Sequence, residues 1–240
     1  MTGTKENIIA RLQQDILLLE GFKPPVEGNT DSFGLGPIEA AFPNGVFPVG
    51  TIHEFVNAEP ENIAACGGFI GGLLSILTQQ AGPCVWVSRS QTLFPPALKA
   101  FGVRPEQIIF VHPQKERDIL WVTEEALKCE GLSAVIAELP AISFSQSRRL
   151  QLAVEESRVT GFILRNDTGK LNSTACVARW RISPLPSVVD GGLPGVGFPS
   201  WNIELLKVRN GNPGSWKLNW EAGKFVPVIE RQLIELKKYA

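Results

Sequence analysis

A chain of 240 residues, 44% hydrophobic and 20% charged, is long enough for one large domain with a sizeable core. Its start, MTGTKENIIARLQQD, has no basic region followed by an apolar core, so neither a signal peptide nor a transit sequence is expected and the predicted location is the cytoplasm. The net charge of −1 conceals a split: nine basic against 16 acidic residues precede Arg148, and 14 basic against eight acidic follow from it, a distribution that can steer an acidic partner or a polyanion to the later part of the chain and that also fits an ordinary solvated surface.

The first element is an amphipathic helix, with Ile8, Leu12, Ile16 and Leu19 on one face and Gly21 at its end. The Pro- and Gly-rich stretch that follows has no periodicity and is expected to be an extended lead-in packed on the domain. TIHEFV alternates as a first strand. Beyond it, apolar runs (GPCVWVSRS, IIFVHP, SAVIAEL, TGFILRN) alternate with helical stretches (PALKAFGV, DILWVTEEALKC, SQSRRLQLAVEESRV). This order predicts βαβ units and a mostly parallel sheet covered by helices on both sides. From Ala175 onward strands follow without helices and read as antiparallel hairpins on one edge of the sheet. The expected division is residues 1–49 as helix and lead-in, 50–228 as the core with its hairpins, and 229–240 as a tail, either a short amphipathic helix or a frayed end.

The segment NAEPENIAACGGFIGG, from Asn57 to Gly72, climbs from a strand into a helix where many proteins hold a phosphate. A GxxxxGK[ST] loop needs converging backbone N–H groups, a lysine for the β/γ oxygens and a hydroxyl for magnesium. Here Glu59 and Glu61 would repel a triphosphate, Pro60 removes an N–H, and no lysine lies between Lys23 and Lys99. No nucleotide and no other cofactor is therefore expected. Gly67, Gly68, Gly71 and Gly72 form a small-residue stripe suited to close packing. The apolar stretch from Ile63 to Thr78 falls short of a membrane span. Cys66, Cys84, Cys129 and Cys176 are far apart, and only His53 and His112 could join them as ligands; buried small apolar cysteines and no metal are expected.

In order and texture the chain resembles the RecA-like ATPase core, and more closely the ImuA family of RecA-related accessory proteins. GTIHEFVNAEPENIAACGGFIGGLL resembles the first strand, phosphate loop and helix of that core; PCVWVSRSQTLFPPALKAFGVRPEQIIFVHPQ its second strand, helix and third strand; SAVIAELP its second acidic motif; RRLQLAVEESRVTGFILRN the helix and strand that follow; and WNIELLKVRNGNPGSWKLNWEAGKF the terminal hairpin. The resemblance implies a RecA-like α/β fold with a degenerate phosphate loop. WVSRS supplies no glutamate to activate water, and Glu138 stands where a magnesium-linked aspartate would, without a phosphate to serve; it is expected to cap or pair locally. What the resemblance implies about role is a non-catalytic accessory in damage-induced, error-prone DNA synthesis, acting with a Y-family polymerase-like protein and a replicative-type polymerase. A SulA-like cell-division inhibitor and a nucleotide-binding ATPase are the competing classes.

In RecA-like proteins the loops after the fourth and fifth core strands face DNA. Here these carry Arg148 and Arg149, and Arg165 and Lys170, which suit phosphate contacts to single-stranded DNA without base reading; Phe144 suits stacking on an unpaired base. SQSRRL fits equally well an N-cap followed by an exposed helical face. A partner surface is expected in the turn from Ser187 to Trp201 and the tail, with Phe198, Trp201 and Arg231 as its anchors.

Overall fold

The computed structural model describes residues 33–80, 82–90, 93–166, 171–187 and 197–228, together with scattered positions between residues 8 and 16 that are helical and exposed. Its centre is a nine-stranded sheet in the order β3-β2-β4-β5-β1-β6-β7-β8-β9. The strands are β1 (Ile52–Val56), β2 (Cys84–Val87), β3 (Ile108–Val111), β4 (Ala134–Leu139), β5 (Thr160–Arg165), β6 (Ala178–Leu185), β7 (Ser200–Val208), β8 (Gly214–Glu221) and β9 (Lys224–Pro227). Pairing is parallel from β3 through to β6 and antiparallel from β6 to β9. The α/β reading, the parallel core and the edge position of the hairpins all hold.

Three α-helices cover the sheet: α1 (Pro60–Gln80), α2 (Glu116–Leu127) and α3 (Phe144–Ser157). Successive side chains of a strand point to opposite faces, and the two faces carry separate cores. Phe55, Phe162, Trp180, Ile182 and Ile203 pack with Phe69, Ile70 and Leu73 of α1. Ile52, Val85, Val135 and Ile163 pack with Ile119 and Leu127 of α2 and Leu150 and Val154 of α3. Every residue of β1 is buried, because this strand lies in mid-sheet with helices above and below. On the hairpins the outward face carries exposed Arg181, Ser215 and Lys217 while Trp201, Leu218 and Trp220 point inward, the polar-out alternation of a half-covered antiparallel sheet.

Local differences from the sequence reading have simple causes. PALKAFGV forms a 3-10 helix, Pro95–Phe101, rather than an α-helix; two prolines open it and Gly102 closes it at φ +84°. The lead-in is packed on the domain as expected, yet it contains two 3-10 turns, Gly36–Ala41 and Pro43–Gly45, and its Phe33, Leu35, Ile38, Phe42 and Phe47 enter the same core as α1. Residues 33–49 are thus continuous with the core. Among the described residues, one helix, Pro60–Gln79, is long and apolar enough to cross a membrane, and 67% of its most apolar stretch is buried inside the domain; the shortfall expected from sequence is corrected, and the burial accounts for the apolar composition.

The glycine stripe is a packing device for aromatic rings rather than for strand backbone. A Cβ on Gly68 would lie 2.9 Å from the Phe101 ring and one on Gly72 2.5 Å from the Phe225 ring, whereas one on Gly67 would meet only Leu93, at 3.9 Å. In the same core His53 is fully buried, stacked on Phe47 with ring centroids 4.7 Å apart. Its Nδ1 accepts from Trp180 Nε1 at 3.3 Å, which leaves Nε2 to donate to the Pro48 carbonyl at 2.7 Å. Burial lowers its pKa from the usual 6.5 to about 4.

Two outcomes are expected. Gly67→Ala raises thermal stability by up to about 1 kcal/mol, the helix-propensity gain, while Gly72→Ala lowers it by about 1–3 kcal/mol through overpacking against Phe225; paired melting curves check both. Below pH 6.5 the unfolded chain takes up a proton that native His53 refuses, so stability falls as pH drops from about 6.5 toward 4, by roughly 1.4 kcal/mol per unit at most. Denaturant titrations at several pH values should give a steeper acid loss for the parent than for His53→Gln.

Candidate functional site

The carboxyl ends of the parallel strands are where open α/β sheets bind ligands, and the connection from β1 to α1 lies there. It consists of three residues, Asn57, Ala58 and Glu59, before α1 begins at Pro60. Asn57 N–H is bonded to the Arg165 carbonyl at 2.9 Å and Ile63 N–H to the Glu59 carbonyl at 3.0 Å. Pro60 has no N–H, and Glu59 and Glu61 are exposed on either side of it. A loop that wraps a phosphate needs several free N–H groups aimed at one point. This one is too short to wrap anything and is acidic where the helix dipole would favour an anion.

Beside it, Glu138 at the end of β4 reaches across to β2. Its Oε1 accepts from Trp86 Nε1 at 3.0 Å, and its Oε2 accepts from Ser88 Oγ at 2.6 Å and Ser90 Oγ at 2.8 Å. The carboxylate is fixed by three donors of its own chain, as the local-pairing reading requires, rather than presented to a metal. No group of three metal-ligating side chains occurs among the described residues. His112 closes the cluster from β3's end, with Nδ1 2.8 Å from the Ser88 carbonyl.

Above this cluster opens a groove of about 570 Å³ between the N-terminal half of α1 and the Pro95–Phe101 helix. Its walls are apolar, with Ile63, Leu93, Phe94 and Phe101 prominent, and among the described residues Glu138 is the only charged side chain lining it. A second hollow of about 460 Å³ shares Trp86, Ser90, Leu93 and Phe94 with it. The position that would receive a charged triphosphate in a working ATPase is therefore an oily slot with a hydrogen-bonded acid at one end.

The strongest polar construction is on the opposite face of the sheet. Glu54, fully buried in β1, binds Arg165 of β5 through Oε1 at 2.7 Å and Arg179 of β6 through Oε2 at 2.7 Å, and accepts Thr174 Oγ1 at 2.8 Å. Arg165 also donates to Asn172 Oδ1 at 3.1 Å, and Arg179 to the Asn172 carbonyl at 2.7 Å. Lys207 and Arg209 bind the Thr174 and Ala175 carbonyls at 3.0 and 2.8 Å. The network sews residues 172–175 onto the sheet. Sequence reasoning missed it, although the signal was present: a glutamate inside a strand that is apolar on both sides must be paired if the strand is central.

The sequence-predicted site residues separate accordingly. Arg165 is 1% exposed and committed to Glu54, so it offers nothing to DNA. Arg148 and Arg149 are exposed, but they sit in α3 rather than in a loop; Ser143 caps the helix by accepting Gln146 N–H, and the arginines pair with Glu155 and Glu124. Phe144 is exposed at the first position of the same helix. Trp201 is 2% exposed and packed against Phe69, Phe101 and Phe225, which removes it from any surface; the alternation of β7 turns it inward. Phe198, 48% exposed, remains available. Lys170, Arg231, the tail and most of the turn from Ser187 lie outside the described residues. Cys66, Cys84 and Cys176 are buried, and burial pushes each thiol up to about 12. Cys129 is exposed, contrary to expectation, because it follows α2 at a solvent-facing turn.

Comparison with known proteins gives three findings. Protein ImuA of Caulobacter vibrioides is 37% identical over 205 residues, which span 80% of this chain and 84% of that protein. Cell division inhibitor SulA of Yersinia pestis is 28% identical over 129 residues, 53% of this chain and 75% of that one. Among solved structures the RadB recombinase superposes with a TM-score of 0.55 over 82% of this chain and 99% of its own, at 14% identity, a likeness of fold and nothing more. No family model matches the chain.

The contrast between the arginines is measurable. Arg165→Ala leaves Glu54 buried with one charged partner fewer and should cost about 3–5 kcal/mol. Arg149→Ala, at an exposed pair, should change stability by less than about 1 kcal/mol. Chemical denaturation of the two variants beside the parent provides the check.

Proposed function

The chain belongs to the ImuA family, and from that membership we propose that it is a non-catalytic accessory protein of damage-induced, error-prone translesion DNA synthesis, acting through a Y-family polymerase-like partner and a replicative-type polymerase. The observation that carries the non-catalytic part is the three-residue connection from β1 to α1. It keeps the strand and helix of a nucleotide site while removing the loop, the lysine and the hydroxyl that hold and hydrolyse a triphosphate. Glu138, already bonded to three donors, and the apolar groove beside it support the same reading. Contacts, rather than turnover, are then the work of the molecule.

Within this reading exposed Phe198 and the basic later part of the chain are the partner-binding elements, with Arg231 in the tail. Single-stranded DNA is a weak, salt-sensitive ligand of Arg148 and Arg149, the two candidates exposed among the described residues. The SulA similarity favours one second reading, a cell-division inhibitor that binds a division GTPase; capture of that GTPase in place of a polymerase-like protein would select it.

The purified protein should release no heat with ATP and magnesium and show no magnesium-dependent phosphate release above buffer. Deleting its gene should lower damage-induced mutagenesis, and Phe198→Ala should reduce co-purification of the polymerase-like partner while leaving the melting temperature unchanged. Phosphate release that disappears in Glu138→Ala would overturn the non-catalytic part, and unchanged mutagenesis on deletion would overturn the role.

A further inference from the structure

The groove at the vacated nucleotide position needs an occupant. Its volume of about 570 Å³ lies within the roughly 300–1,000 Å³ of ligand pockets, and its walls are mostly hydrocarbon and aromatic. Ile63, Leu93, Phe94 and Phe101 would otherwise hold ordered water against apolar surface. Electrostatics at its mouth narrow the choice. Glu138 lines the groove, and Glu59 and Glu61 flank its lining residue Pro60. A nucleotide or nucleic-acid backbone is repelled there, and an apolar segment that carries positive charge is favoured.

The chain contains such a segment. Residues 229–240, IERQLIELKKYA, lie outside the described residues and follow Val228, one residue past the end of β9. At helical spacing Ile229, Leu233, Leu236 and Ala240 share one face, and Arg231, Lys237 and Lys238 outnumber Glu230 and Glu235. The starting point is also favourable. Phe225 of β9 packs against Phe69 and would be struck by a Cβ on Gly72, so β9 passes the middle of α1, the same helix whose Gly67 and Gly68 line the groove, and the tail departs three residues further on, from Val228, past Pro227 beside Gly36. From Gly72 to Pro60 is twelve residues of α1, about 18 Å at 1.5 Å per residue, and a twelve-residue tail spans about 18 Å as a helix or about 40 Å extended. With about 10 Å more from Phe225 to Val228, the reach is sufficient once the first few residues of the tail are extended.

We propose that the C-terminal tail, residues 229–240, docks in cis into the groove between α1 and the Pro95–Phe101 helix, its apolar face against Ile63, Phe94 and Phe101 and its basic side chains toward Glu59, Glu61 and Glu138. The position at the carboxyl end of β1 becomes a seat for residues 229–240 of the same chain. The tail is then held unless a partner takes either the tail or the groove. The inference concerns the isolated chain and does not depend on the role proposed above.

The test compares the full chain, a chain ending at Val228, and that shorter chain carrying Gly67→Leu. A Cβ at Gly67 meets nothing closer than 3.9 Å, so leucine there can enter the groove without displacing backbone, and retained melting temperature establishes that the variant is folded. The probe is a fluorescent synthetic peptide of residues 229–240. The shorter chain should bind it, the full chain about tenfold more weakly because its own tail competes, and the Gly67→Leu chain about tenfold more weakly because the groove is filled; added salt should weaken all binding. Equal peptide affinity for the full and shortened chains overturns docking of the tail. Equal affinity for the shortened chain with and without Gly67→Leu overturns the groove as its seat. Self-association of the full chain that rises with concentration and is lost on truncation overturns docking in cis.

Discussion

The architecture depends on one buried carboxylate. Glu54 sits in mid-sheet, at the seam where the parallel strands meet the hairpins, and an unpaired charge there would be prohibitive. Arg165 from β5 and Arg179 from β6 bind one oxygen each, while Thr174 adds a hydroxyl. The acid therefore specifies which strands flank β1. A slipped register at either side would leave it without a partner and would also turn a hydrophobic face to solvent. The same arginines hold residues 172–175 across the end of the sheet, so the segment that leads into the hairpin edge is positioned by the charge at its centre.

Around that seam the two faces of the molecule perform different tasks. One carries α2 and α3 on an aliphatic core. The other carries α1 on an aromatic one in which Trp180, Trp201, Trp220 and Phe225 of the hairpins reach across to meet Phe55, Phe69 and Phe101. The glycines of α1 allow this approach. The hairpins are thus not an appendage to a finished core, and the helix that would carry a phosphate in an ATPase is occupied instead with receiving aromatic side chains.

Much of this was legible in the amino-acid order. The alternation of apolar runs with helical stretches located the strands, since parallel strands buried on both faces read as continuous apolar segments. The acidic, proline-bearing turn between the first strand and its helix was visible in the same way. Surface assignments fared less well, because a sequence does not display which face of a strand turns inward. Trp201 and Arg165 both have types enriched at interfaces and both lie in strands where period-two alternation with unknown phase decides exposure. Arg165 was misread for a further reason: its partner is 111 positions away, and no local pattern couples them. The groove was invisible for the same cause, being assembled from α1, β2, β4 and a 3-10 helix that are distant in the chain.

The spacing of the Glu54 clamp also bears on how the protein is made. Its partners follow at separations of 111, 120 and 125 residues. At about 5–20 residues per second a ribosome needs roughly 6–25 s to deliver Arg179 after Glu54. Through that interval β1 cannot settle between its neighbours without stranding a charge, so the nascent chain has reason to stay open. The central strand, among the first to be synthesised, thus receives its last charged partner from the strand that opens the hairpin half of the sheet.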